Sequence, residues 1–392
     1  MTPTRPGGTE HLRRQNTALV LRSLRTEGAA TRTELARRTG LAKATIGTIV
    51  AELGTGGAVS EDQSAPSGRG RPGRPVTLTG ESIIGLGFEV NVDYLAAVAL
   101  DLGGNARIST IRQVESAGPP SIGEVISLVT ETRDSLIAAG HSIVGATVAV
   151  PGLVAHDNRT IAWAPNLGWD NVELAAQLEA VLGGACPVTV DNDANCAALA
   201  EAAHGVSIDV PNSLYITGTV GIGAGIVHDN LLLRGGAGFA GEVGHMPIGN
   251  HSRVCGCGRL GCWETSVGLR AMLAAVGMEE ESTPLQTAVA VAARAAHDAQ
   301  TRAALTTLGH DLGTGLAALA AVLDPAAIVL GGYFVPLGAY VVPAAGAVLA
   351  ERLPSASIHL PQIRLSSLGI HAAALGAAER SLSGVYAGTV VL

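Results

Sequence analysis

The segment CGCGRLGC places Cys255, Cys257 and Cys262, three of the five cysteines in a 392-residue chain, within eight positions, and His245 stands ten residues before the first. The amino terminus MTPTRPGGTEHLRRQN has arginines but no apolar stretch after them, so no secretory signal is expected and the compartment is read as cytoplasmic. In a reducing compartment, clustered thiols hold metal or do chemistry more often than they form disulfides. His245, Cys255, Cys257 and Cys262, spaced by ten, two and five, supply one imidazole and three thiolates, a set suited to tetrahedral Zn²⁺. No coordination position is left open, so the zinc is expected to be structural. The intervening glycines allow the tight loop that such a site needs. Cys186 and Cys196 stand alone in apolar sequence and read as small buried residues.

Charge divides the chain. Residues 1–80 carry twelve basic and six acidic residues, whereas the rest carry 13 and 27. A basic head on an acidic body predicts that the head alone meets a polyanion. Within it, TALVLRSLRTE spaces its apolar residues as a helix. TRTELARRTG follows, with Thr31 or Thr33 as cap and Gly40 as stop, and LAKATIGTIVAELGTGG gives a third helix. Two short helices around a glycine turn predict a helix-turn-helix. Its second helix would present Lys43, Ala44, Thr45 and Thr48 to base edges, Lys43 being the one lysine in the chain, while Arg32, Arg37 and Arg38 would hold the flanking phosphates. After the strand AVSE, Arg69, Arg71 and Arg74 alternate with glycine and proline before VTLT resumes strand spacing, the pattern of a wing whose tip reaches the minor groove or of a flexible linker.

From Ser82 onward β-rich segments alternate with alanine-rich helices, which predicts an α/β body. SIIGLGFEV, YLAAVALDL and SIVGATVAV read as strands, and a second α/β unit starts near Asn212 with SLYITGT and GIGAGIVHD. Residues 325–350 contain no charge and are long enough to raise a membrane helix. Pro325, Pro336, Pro343 and Gly331-Gly332 argue against one, dividing the stretch into a strand, a turn and a second apolar segment.

EVGH at 242–245 followed by CGCGRLGCWE, with DNDANCAALAE at 191–201 and TVGIGAGIV in support, resembles the ROK family of sugar-responsive repressors and sugar kinases. The resemblance implies an actin-like, two-lobed ATPase fold behind the winged helix-turn-helix. Residues 1–80 are then the DNA-binding domain, 81–210 the first lobe and 211–392 the second, with the zinc loop and a carboxy-terminal helix packing back on the first lobe. The resemblance agrees that the zinc is structural. It implies that Glu242 and Glu264 accept hydrogen bonds from sugar hydroxyls, joined by the second nitrogen of His245. Asn166 in APNLGW and Asn192 and Asp193 at a strand end complete the expected pocket. Asp193 matches the catalytic base of ROK kinases, although an Asp at such a strand end also serves as a helix cap.

The first phosphate cradle of ROK kinases has the form D-x-G-G-T, where this chain has Glu89-Val90-Asn91-Val92-Asp93. Both glycines are gone, and Asp93 puts a negative charge beside an anionic ligand. Tyr333 stands where the kinases commonly have another glycine. The resemblance therefore implies a non-enzymatic regulator, a repressor of carbohydrate uptake or catabolism genes. It would bind double-stranded operator DNA as a homodimer or higher oligomer, respond to a sugar or sugar phosphate, and involve no membrane. The rival readings are an active sugar kinase with a fused basic domain and a regulator that senses a partner protein.

Overall fold

The computed structural model describes residues 8–61, 74–114, 118–353 and 359–390. The head contains α1 (Thr9–Glu27), β1 (Ala30–Thr31), α2 (Arg32–Thr39), α3 (Lys43–Thr55), β2 (Val59–Glu61) and β3 (Pro75–Leu78). Thr31 accepts from the Glu34 amide while Glu34 reaches back to the Thr31 amide, so a capping box starts α2. Gly40, left-handed at φ 72°, ends it. The first helix begins earlier than its apolar spacing predicts, since its opening turns are polar and exposed. The strands pair antiparallel in the order β1-β3-β2, the sheet of a winged helix.

The first lobe contains β4 (Ile83–Val90), β5 (Tyr94–Asp101), β6 (Ala106–Gln113), α4 (Ile122–Ala138), β7 (Ser142–Val150), β8 (Leu153–Val154), β9 (Ile161–Ala164), β10 (Trp169–Val172), α5 (Leu174–Val181), β11 (Val188–Asn192) and α6 (Asp193–His204). The second contains β12 (Ser213–Gly218), β13 (Ile222–His228), β14 (Leu231–Leu232), α7 (Glu264–Val267), α8 (Leu269–Val276), α9 (Pro284–Ala295), α10 (Ala299–Leu323), β15 (Ala327–Gly332), α11 (Phe334–Arg352) and β16 (Gln362–Leu365). Helices α12 (Ala372–Ser381) and α13 (Ser383–Ala387) close the chain.

The two large sheets share one plan. Their orders are β11-β7-β4-β5-β6 and β14-β13-β12-β15-β16, each an antiparallel meander of three strands extended by two parallel ones. Helix α12 lies against the first-lobe sheet. A Cβ on Gly87 would collide with the Ala374 carbonyl, which explains the glycine inside an otherwise apolar strand.

Residues 325–350 differ from expectation. Beyond β15 the chain does not break at Pro336 or Pro343 but runs as one 19-residue helix, α11. Pro336 lies in the first turn, where the missing amide has no helical partner, and Pro343 removes a single backbone bond, a loss of about 3 kcal/mol. Packing offsets it: Gly309 and Gly313 of α10 bring the helices so close that a Cβ there would press on Val341, Ala344 or Ala345. One face of the apolar length that would suit a membrane here joins the core of the second lobe, with Phe334, Leu337, Val341 and Ala345 fully buried.

Candidate functional site

The loop after β14 carries Glu242 and then a short turn, Val243–His245; its return ends in α7, whose first residue is Glu264. Between them the chain folds so that His245, Cys255, Cys257 and Cys262 bring one ligand atom each to within 4.8 Å of all the others. Cys257 Sγ lies 3.6 Å from Cys262 Sγ, and Cys255 Sγ lies 3.6 Å from His245 Nδ1. Those separations match the edges of a tetrahedron with Zn–S near 2.3 Å and Zn–N near 2.0 Å, roughly 3.5–3.8 Å. The donor set therefore fits the metal that the spacing predicts. Burial raises the Cys257 thiol, but hydrogen bonds from the Arg259 guanidinium, at 3.3 Å, and the Arg259 amide, together with those from Cys255 and Cys262, bring it down to about 6, toward the thiolate a metal needs.

His245 turns Nδ1 to this cluster and Nε2 toward Glu242, 4.0 Å away. The imidazole thus stands between the metal-ligand set and a cleft of about 350 Å³ that opens between the lobes. Asn166, Asn192, Asp193, Glu242, His245 and Glu264 all line this cleft. Residues spread over 99 positions converge there because β11 ends, the loop carrying the His/Cys cluster returns and the β9–β10 hairpin turns at the same edge.

The roles at the strand end are divided in a way the sequence does not reveal. Asn192, not Asp193, caps α6: its Oδ1 accepts from the amides of Ala194 and Asn195, and its Nδ2 donates to the Gly152 carbonyl at 3.2 Å. Its amide is spent on holding the loop, which leaves Asp193 facing the cleft. Burial raises the Asp193 carboxyl to about 6, opposed by the Ala194 amide and reinforced by the charge of Glu242. Burial also raises Glu242, which His245 partly offsets and Glu264 reinforces. Asn166 sits exposed on a turn held by Gly168 in the left-handed region and makes no side-chain hydrogen bond among the described residues.

Trp163, Arg253 and Arg270 line the same cleft and escape the motif-based reading. Trp163 is 43% exposed on β9, next to buried Ala164. A tryptophan on the open face of a strand is the signal that would have found it.

The hairpin joining β4 to β5 is sealed by its own side chains. Asn91 Oδ1 accepts from the Val92 amide at 2.7 Å, removing a backbone donor that a phosphate would use. None of residues 91–93 has positive φ. Beneath them Glu89 accepts from Tyr94 Oη at 2.6 Å and from Asn91 Nδ2 at 3.4 Å. Tyr333 is buried against Gly218 and donates to the Val267 carbonyl at 2.9 Å, so its ring fills space that a glycine would leave open.

In the head, Lys43, Ala44 and Thr48 are exposed and Thr45 is half-buried at the start of α3. Arg32 forms a two-point pair with Glu61 at 2.6 and 2.9 Å, and Arg38 donates to the Gly28 carbonyl and pairs with Glu27. Arg37 is exposed and makes no side-chain hydrogen bond or ion pair among the described residues, although its charge acts on Glu34. Arg74 is exposed before β3, and Arg69 and Arg71 lie outside the described residues.

Two sheets of one plan around a carboxylate-lined cleft, carrying a winged head, define a two-lobed α/β protein of the sugar-kinase-like, actin-like ATPase class. The ROK family profile matches residues 86–381, and the chain belongs to the ROK family. It is 29% identical over 368 residues to the xylose repressor of Bacillus subtilis, covering 93% of this chain and 94% of that one. A crystal structure of a ROK family transcriptional regulator, a homologue of the E. coli MLC protein, superposes with a TM-score of 0.81 at 25% identity, covering 96% of this chain and 98% of that one. A ROK family glucokinase from Streptomyces griseus, solved with glucose and AMPPNP, superposes with a TM-score of 0.64 at 27% identity, covering 77% of this chain and all of that one.

Proposed function

We propose that this chain is a sugar-responsive transcriptional repressor of carbohydrate genes, acting in the cytoplasm as a homodimer or higher oligomer on an inverted-repeat operator. The observation that carries the reading is the pairing of an open, carboxylate-lined cleft with a phosphate hairpin closed by its own side chains. Glu242, Asp193 and Glu264 supply acceptors for sugar hydroxyls, Asn166 supplies both donor and acceptor, and Asn192 positions the loop. Zinc held by His245, Cys255, Cys257 and Cys262 would fix the loop that carries both glutamates; it supplies structure and no chemistry. Nucleotide has no comparable place: Asn91 uses the backbone donor, Asp93 adds like charge, and Tyr333 fills the second lobe's corner.

The likeness to a xylose repressor over both head and body makes D-xylose the first sugar to test, with D-glucose beside it because the related glucokinase was solved with glucose. One short recognition helix reads few base pairs, so two heads related by a two-fold axis are needed for specificity. On this reading Lys43, Ala44, Thr45 and Thr48 meet base edges, Arg37 the flanking phosphates, and the wing arginine Arg74 the minor groove. Genomic footprinting followed by operator titrations with pentoses, hexoses, amino sugars and their phosphates tests the reading. An operator whose occupancy one of these sugars changes supports it. Sugar-dependent ATP turnover without operator binding would establish the kinase instead.

A further inference from the structure

The head is joined to the body mainly through an apolar contact. Val20, Leu21 and Leu24 of α1 share one core with Ala374, Ala378, Leu382 and Val385 of the carboxy-terminal helices. Among the described residues one ion pair crosses this junction. Arg25 of α1 meets Glu379 of α12 at two points, Nη2 to Oε2 at 2.7 Å and Nε to Oε1 at 3.3 Å. Both side chains are largely buried, and His204 Nε2 lies 3.1 Å from the same carboxylate.

Two contacts beside that carboxylate lead to the strand end at the cleft, one through His204 and one through the neighbouring Arg380. His204 is the last residue of α6, whose first residue is Asp193, so one helix of about 18 Å spans from the cleft floor to Glu379. Helix α6 packs closely on α12, where a Cβ on Gly376 would strike the Cys196 carbonyl. The neighbouring residue Arg380 reaches Asp191 Oδ2 at 3.0 Å, one position before the cap Asn192. Asp191, fully buried, also meets Arg234 of the second lobe at 3.2 Å. A change in lobe angle therefore reaches α12 through Arg234, Asp191 and Arg380, and Glu379 stands beside the receiving residue.

We infer that Glu379 is the positioning residue that carries cleft occupancy to the DNA-binding head, through its two-point pair with Arg25 and its contact with His204. This rests on the proposed function. An oily contact tolerates small rotations, whereas a two-point ion pair is sensitive to angle, so this pair registers a lobe movement that the surrounding apolar core absorbs. Neither residue touches the cleft, and the position assigned to base reading begins at Lys43, on another helix.

The test measures operator affinity of the full chain with and without saturating D-xylose or D-glucose, or whichever sugar of the panel the wild type answers to. A linked ligand typically changes affinity about 5- to 150-fold. Glu379→Gln and Arg25→Gln should each bring that ratio to within about twofold of one while leaving sugar affinity and sugar-free operator affinity within about threefold of wild type. The two affinities separate this role from a merely structural contact, whose loss would lower sugar-free operator affinity along with the response. Where Glu379→Gln does not fold, Arg25→Lys, which keeps the charge without the fork, reads the same ratio. A wild-type ratio in any folded single variant overturns the inference. A wild type that binds no operator, or whose binding no sugar changes, overturns the proposed function instead, and the two failures are distinct.

Discussion

The sulfur of Cys255 lies 2.9 Å from Oε1 of Glu264, so one sulfur of the His/Cys cluster and a cleft carboxylate share a contact. When the thiol keeps its proton it donates to that carboxylate and occupies one of its acceptor sites. Metal binding removes the proton and frees the carboxylate. The chain is expected to hold one zinc per molecule by metal analysis. Chelation should weaken sugar binding at least tenfold by calorimetry, and Cys257→Ser should lower both zinc content and melting temperature. Full sugar affinity in protein shown to lack zinc would defeat this linkage.

Glu264→Ala and Lys43→Ala separate the two ends of the molecule. Removing a charged hydrogen-bond partner costs about 1.5–3 kcal/mol, roughly 10- to 150-fold in affinity. Glu264→Ala should lose the sugar response with operator affinity unchanged, and Lys43→Ala should weaken the operator complex with sugar affinity unchanged. Electrophoretic shifts and calorimetry on both variants decide; identical behaviour would refute the division of labour.

No sugar-dependent ATP hydrolysis is expected, because the Val92 amide is bonded to Asn91 and Asp93 repels a phosphate. A coupled assay over the sugar panel measures it. Turnover near the ordinary kinase range of about 1–100 per second, abolished in Asp193→Asn, would show a working kinase.

Glu89 makes stability depend on pH. Burial, opposed by hydrogen bonds from Tyr94 and Asn91, lifts its carboxyl from an ordinary value of 4.5 to about 8. Between these values the folded chain binds a proton that the unfolded chain releases, so stability falls as pH rises through that window, by up to about 1.4 kcal/mol per unit. Glu89→Gln keeps an acceptor for Tyr94 and removes the titration. Thermal unfolding should show it flatter with pH than wild type and more stable at pH 8; a parallel curve would place the pH dependence elsewhere.

The His245/Cys255/Cys257/Cys262 cluster, the short helices of the head and the α/β body are legible in the sequence because each depends on local spacing. Two thiols two residues apart, a Thr31/Glu34 cap before an apolar run, and strand alternation are all short-range patterns. The loss of both hairpin glycines is legible for the same reason. What closes that hairpin is not, since Glu89 and Tyr94 read as ordinary strand residues until β4 and β5 pair. Nor does a one-dimensional pattern tell that Asn192 caps α6 while Asp193 faces the cleft, because both are good capping residues and the choice depends on where β11 delivers the chain. Pro343 looked like a break because proline propensity is local, whereas α11 survives it through contacts with α10, distant in sequence. Arg25 and Glu379 are 354 positions apart, and each alone reads as a solvated charge. Only the folding of the carboxy-terminal helix back onto the first lobe brings them together, burying both away from water where an unpaired charge would be costly and a matched pair is held.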